Sequence, residues 1–189
     1  ILDDTTYPEI KEVVSTTIAK ENSQKFSNLL EKVKFLTNSS SNLDALFNSI
    51  KITFKDNFVE LASTDSYRLI YLKKPLENVV SKDILVPADS MAVIYKILKD
   101  LNEDVTLATS EDKLIVTWKD AYFSCKLLSL SFPDFIPLIT NPNHDKKFEF
   151  NRDELNSSLK KVISVTKNSN DSKNVATFNF KGNQLLISG

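Results

Sequence analysis

The chain has 189 residues, 41% of them hydrophobic, which is enough to bury one full core and part of a second. Its 24 Lys and Arg against 25 Asp and Glu give a net charge of -1. That balance excludes a wholesale basic surface for nucleic acid, so any such contact must come from local clusters of lysine. Cys125 is the single cysteine, which excludes an intrachain disulfide and a thiolate zinc cluster and fits a reducing, cytosolic setting. No apolar run approaches the roughly 20 residues of a membrane span, and Ile1-Leu2-Asp3-Asp4 is too acidic to open a signal peptide, so the chain reads as soluble.

In chain order, Tyr7-Pro8-Glu9-Ile10 is an aromatic-Pro-acid-apolar segment. Phe26, Leu29, Leu30, Val33 and Leu36 then recur at helical spacing and predict an amphipathic helix. Ile52 to Ser63 alternates on both sides of Lys55-Asp56-Asn57, as a hairpin does. A strand over Asp83 to Val86 leads at Pro87 and Asp89 into a second helix with the face Met91, Ile94, Leu98 and Leu101. Strands follow over Val105 to Ala108, Lys113 to Trp118 and Tyr122 to Leu128. After Phe132-Pro133-Asp134-Phe135 and the linker-like Thr140 to Asp145, a third helix with Leu155, Leu159, Val162 and Ile163 precedes a hairpin at Phe178 to Gly189.

The chain repeats itself. The second hairpin begins at residue 178 and the first at residue 52, an offset of 126, and the two aromatic-Pro-acid segments begin at residues 132 and 7, an offset of 125. Each hairpin is preceded by an amphipathic helix. The unit is an α+β arrangement of two helices packed on antiparallel sheets. Residues 1–10 read as the end of a preceding domain or a linker, 11–140 as one complete domain, and 146–189 as the N-terminal half of another, so the natural protein is expected to be longer.

These residues carry a family likeness. Leu61-Ala62-Ser63-Thr64-Asp65-Ser66-Tyr67-Arg68-Leu69 resembles the strand-end signature A-T-D-G-H-R-L of the bacterial DNA sliding clamps, the beta subunit of DNA polymerase III, and Phe132-Pro133-Asp134-Phe135 resembles their F-P-D-Y. The resemblance implies the DNA clamp fold, with the chain spanning the central domain and the start of the third. It implies a homodimeric ring, helices inside and sheets outside, that encircles duplex DNA without reading sequence. It further implies a processivity subunit that is not an enzyme, holds no cofactor or metal, resides in the cytoplasm and meets polymerase subunits and a clamp loader through a short peptide motif. Ser66 and Tyr67 depart from the family's Gly and His, and Pro137 stands where a basic residue is common.

Two candidate sites follow. Lys25, Asn28 and Lys32 share a stripe on the first helix, Ala92, Lys96 and Lys99 on the second, and Asn156, Lys160 and Lys167 on the third. Spacing alone favours a solvated helix surface over a phosphate-facing one; the resemblance implies instead that Lys25, Asn28, Lys32, Lys96, Lys99, Lys160 and Lys167 face DNA. Ala88-Asp89 stands where many members are basic, so the second helix is expected to contact DNA less. The resemblance also implies a partner-peptide pocket of Phe47, Thr64, Ser66, Tyr67, Arg68, Leu69, Pro133, Pro137 and Leu138, with apolar walls for leucine or phenylalanine anchors and polar groups at Thr64 and Arg68. Read without it, Leu69 and Leu138 are core residues and Arg68 pairs with Asp65 or Asp134.

Three other readings compete: a sliding clamp of the archaeal and eukaryotic type, a generic α+β interaction module, and a hydrolase using Asp65 and Asp134 as paired carboxylates. Catalysis has little else to draw on. His144 is the sole histidine and sits in a linker-like loop, Cys125 lies in an alternating strand, and Gly182 and Gly189, the only glycines, allow no phosphate loop.

Overall fold

The computed structural model describes residues 14–37, 45–140, 146–166 and 175–189. The Tyr7 to Ile10 segment, His144 and Lys167 lie outside these described residues. The chain divides into two units, residues 1–134 and 135–189.

In the first unit the strands β1 (Thr16–Asn22), β2 (Ser49–Lys55), β3 (Phe58–Thr64), β4 (Leu69–Pro75), β5 (Lys82–Pro87), β6 (Asp104–Thr109), β7 (Lys113–Trp118) and β8 (Ala121–Lys126) accompany the helices α1 (Ser23–Thr37) and α2 (Ala88–Leu98). They form two four-stranded sheets, β4-β3-β2-β5 and β1-β6-β7-β8, antiparallel throughout. The order hides an internal duplication: β1-α1-β2-β3-β4 and β5-α2-β6-β7-β8 are the same β-α-β-β-β run. Each run lends its first strand to the other's sheet, β1 pairing with β6 and β5 with β2.

Period-two alternation decides which way each sheet faces. On β2, Ile50, Ile52 and Phe54 enter the core while Lys51 and Thr53 lie on the opposite face; on β3, Val59 and Leu61 enter. Phe26, Leu30 and Val33 of α1 and Met91, Ile94 and Leu98 of α2 fill the same cluster, which Ile18, Val105, Leu107, Leu114 and Val116 complete from the other sheet. Each such side chain contributes about 1.5–3 kcal/mol on burial.

Polar side chains fix the ends. Asn22 Oδ1 accepts the Gln24 and Lys25 amides at 3.1 and 3.4 Å, capping α1. The buried Ser23 hydroxyl donates to the Leu101 carbonyl at 2.8 Å, tying the start of α1 to the connection after α2, and the buried Ser63 hydroxyl of β3 donates to the Val33 carbonyl of α1 at 2.8 Å. The hairpin turn holds Asp56 and Asn57 in the left-handed region, φ 49° and 63°, where Asp and Asn are the side chains that tolerate it best.

The second unit contains a short helix α3 (Ile136–Ile139), α4 (Arg152–Thr166) and a hairpin of β9 (Thr177–Lys181) with β10 (Gln184–Ser188). It restates α1-β2-β3: α4 has 15 residues as α1 does, and Asn151 Oδ1 caps it through the Asp153 and Glu154 amides at 2.9 and 3.2 Å. Gly182 occupies the turn position of Asp56, also left-handed at φ 55°.

Three sequence expectations shift, and two strands, β1 and β4, were not expected. The strand expected to run to Leu128 stops at Lys126, because the Leu127 amide donates to the Asp112 carbonyl and the Leu128 amide crosses to Leu85 on the other sheet. Leu101 lies beyond the end of α2, half-buried against the core. β1 and β4 lacked a readable signal, since β1 has a register shift between Thr17 and Ala19 and β4 has no alternation in burial. On α4, Leu155, Leu159 and Val162 are half-buried and Ile163 is exposed.

Leu30→Ala should cost about 2–5 kcal/mol in urea unfolding, because it removes a fully buried side chain. Lys32→Ala, two residues on and exposed, should stay within about 0.5 kcal/mol. Equal losses for the two would show that the helix face is assigned wrongly.

Candidate functional site

The turn between β3 and β4 is built by its own side chains. Asp65 Oδ1 accepts the Tyr67 amide at 3.1 Å and the Arg68 amide at 2.7 Å, while Oδ2 accepts Arg68 Nε at 2.8 Å and Nη2 at 2.6 Å. The Thr64 hydroxyl donates to the Arg68 carbonyl at 2.7 Å and accepts the Ser66 amide at 3.2 Å. Asp65 is buried, so its charge depends on this satisfaction. The Arg68 guanidinium holds the Asp65 carboxyl below the usual carboxylate range, helped by the two amides and opposed by burial.

Such a closed network leaves two consequences at the tip. Ser66 is left-handed at φ 71°, a conformation costly for any residue with a Cβ, and Tyr67 next to it is 93% exposed. A large aromatic held in water on a rigid turn is ready to bury area on a partner at little entropic cost.

Of the expected pocket residues, Thr64, Ser66, Tyr67, Arg68 and Leu69 therefore share one turn and the strand ends beside it. Phe47, half-buried, precedes β2, and Pro133 is exposed near the end of the first unit. Pro137 and Leu138 lie in α3 of the second unit; Leu138 is 67% exposed and is no core residue. Thr64 and Arg68, expected to meet a peptide, act first on the turn itself. The pairing of Arg68 with Asp65, one of the readings open in the sequence, is present.

On the helices, Lys25, Asn28 and Lys32 of α1, Lys96 of α2 and Lys160 of α4 are exposed, as is Lys99 just after the end of α2; Ala92 is half-buried, and Lys167 is outside the described residues. Lys25 pairs with Glu21 at 3.7 Å and Lys99 with Asp100 at 3.9 Å, whereas Lys32, Lys96 and Lys160 have no ion pair among the described residues. Lys20, Lys51, Lys73 and Lys126 on strands and Lys119 in the turn between β7 and β8 each have an acidic partner within 3.9 Å. Between the helices Tyr95 donates to Glu31 at 3.1 Å, and the Lys34 ammonium lies 3.4 Å from the centre of its ring. This contact seats α1 on α2 and leaves the Lys25, Asn28, Lys32 stripe unused by packing.

Groups suited to catalysis are engaged elsewhere. Asp65 carries a lowered pKa through Arg68, the reverse of what a general acid needs. Burial raises the Cys125 thiol, away from the thiolate of a nucleophile. Among the described residues no group of three or more His, Cys, Asp or Glu is placed to hold a metal, and no helix is long and apolar enough to cross a membrane.

Residues 20–134, more than half of the chain, match the family described as DNA polymerase III beta subunit, central domain. This chain belongs to that family. The beta sliding clamp of Chlamydia pneumoniae is 25% identical over 182 residues, covering 95% of this chain and 47% of the relative. That of Staphylococcus aureus is 23% identical over 154 residues, covering 81% and 40%. The DNA polymerase III beta subunit of Thermotoga maritima superimposes with a TM-score of 0.83 at 19% identity, over 98% of this chain and 50% of that one. A sliding clamp from Bartonella birtlesii, solved bound to griselimycin, gives 0.82 at 22% identity over 98% and 50%. The likeness to these structures establishes the clamp fold, and the chain spans about half the length of the relatives it matches.

The turn yields two expectations. In Arg68→Met the Asp65 carboxyl should titrate higher than in the parent, read by NMR; an unchanged midpoint would mean that Arg68 does not hold it. Because the folded value is depressed, the contribution of this carboxylate to stability is present at neutral pH and is lost only as pH falls through and below the ordinary carboxylate range. Ser66→Val should lose about 1–2 kcal/mol in urea unfolding and Ser66→Gly should be near neutral, strain relief offsetting the extra freedom of the unfolded chain.

Proposed function

We infer that this chain is the central domain and the opening of the third domain of a sliding clamp, a ring that encircles duplex DNA and tethers the replicative polymerase. Membership of the DNA polymerase III beta-subunit family carries this reading. Two features support it: the helix-then-hairpin module recurs in both units, as a ring made from repeated domains requires, and the helices carry Lys32, Lys96 and Lys160 without acidic partners among the described residues. Lysines of this kind hold phosphates loosely and without sequence preference, which lets a ring slide.

In this reading the protein is a processivity subunit and not a catalyst, acts in the cytoplasm as a head-to-tail homodimer, and is opened by an external loader. Phe47, the Thr64 to Leu69 turn and Pro133 form the first unit's share of a groove for the short peptide motif of polymerase subunits and loader. Support comes from Tyr67, exposed on a turn whose polar groups are already satisfied, so that docking a peptide there orders little.

The full-length protein, loaded on closed circular DNA, should remain bound and should dissociate once the circle is cut; equal retention on both forms would rule out topological holding. The pair Lys32→Glu and Lys96→Glu should weaken binding to all sequences alike and flatten the salt dependence by about one unit of slope for each phosphate no longer neutralised. A slope that does not change would remove these lysines from the DNA-facing set.

A further inference from the structure

The outward face of the β4-β3-β2-β5 sheet carries more than the turn. Leu85 on β5 is 6% exposed yet lies outside the main core cluster that its neighbours Ile84 and Val86 join. Pairing explains this. Leu85 lies opposite Lys51, on the solvent side of β2, and the segment after β8 runs along the free edge of β5 beside it, the Leu128 amide donating to the Leu85 carbonyl at 2.9 Å. A cleft of about 330 Å³ remains between that segment and the sheet, with Leu85, Leu128, Leu130 and Phe132 as its apolar side and the Lys51 and Asp83 pair, 3.8 Å apart, as its polar side.

Register connects this cleft to the turn. Lys51 faces Ala62 across β3, Ala62 faces Tyr71 on β4, and Thr64 faces Leu69 two residues further along the same face. From Leu85 to Tyr71 is three inter-strand steps of about 4.8 Å, and the two residues along β4 to Leu69 bring the span to about 16 Å. An extended peptide covers that in about five residues at about 3.3 Å each.

We propose that the cleft is an extension of the peptide groove and takes an apolar side chain lying about five residues from the peptide's anchors at the Thr64 to Leu69 turn. The proposal rests on the groove reading above. The occupant is a peptide because one continuous sheet face joins the two places at a span that extended backbone bridges. Apolar walls fit a leucine or phenylalanine, and the adjacent ammonium and carboxylate of Lys51 and Asp83 match the carbonyl and amide of its backbone. Leu130, 48% exposed, is the wall residue with most surface left to bury.

The test measures, on the full-length protein, the affinity of a labelled core peptide of the type Gln-Leu-x-Leu-Phe. The same peptide is also made with a five-residue Gly/Ser arm at one end or the other, ending in Leu or in Gly. A Leu-ended arm at one end should bind about tenfold tighter than its Gly-ended counterpart, the gain from burying one leucine. Leu130→Asp should erase that gain and leave the core peptide's affinity as it was. Equal affinity for Leu-ended and Gly-ended arms at both ends, or a gain that survives Leu130→Asp, overturns the cleft alone. Failure of the core peptide itself to bind overturns the groove and the cleft together.

Discussion

The architecture depends on the two-sided character of β2. Its odd and even residues divide the first unit: Ile50, Ile52 and Phe54 draw the helices and the second sheet onto one face, while Lys51 and Thr53 stay on the other. A slip of one residue in its pairing with β3 or β5 would drive Lys51 into the core beneath α1 and leave three large side chains in water, a loss of several kcal/mol. Register is therefore strongly specified at the centre of the sheet. Because of it, the turn after β3 and the edge at β5 open on the same outer surface.

Strand exchange makes the two halves of that unit one folding entity. Neither β-α-β-β-β run completes a sheet alone, since β1 needs β6 and β5 needs β2, and the buried hydroxyl of Ser23 reaches the connection after α2. The Tyr95, Glu31 and Lys34 contact then fixes the helices side by side. Burial, with the bond to Glu31, holds the Tyr95 hydroxyl above its ordinary value. On the exposed sides of the two helices Lys32 and Lys96 have no ion pair among the described residues.

Elements with local causes were readable in the sequence. The hairpin around Asp56 and Asn57 was plain because turn and flanking alternation agree, and α1 and α2 because their apolar residues recur every three or four positions. β1 was not, since only Ile18 and Ala19 are buried and a register shift separates them from the strand's start. β4 was not, because as an edge strand it never alternates cleanly. The exchange of first strands, which generates the internal duplication, is a long-range pairing that no local pattern encodes. At the turn the residue types pointed to a site, but the role of Asp65 did not show: an acidic residue in sequence could be a catalyst, an ion-pair partner or a turn-former, and only the four bonds it accepts decide for the last two.

That self-sufficient turn explains how the chain tolerates Ser66 and Tyr67 where the family signature has Gly and His. The left-handed residue costs a Cβ-bearing side chain about 1–2 kcal/mol, and the cost is met locally by the Asp65 bonds to the Tyr67 and Arg68 amides and by the Thr64 hydroxyl, all of which fall away if the turn relaxes. Tyr67 can vary more freely, because its side chain is in water and only its amide is used by the turn. Backbone shape is thus imposed by Thr64, Asp65 and Arg68, and the exposed surface of the turn is set at Tyr67. A turn divided in this way can change what it presents without changing how it folds.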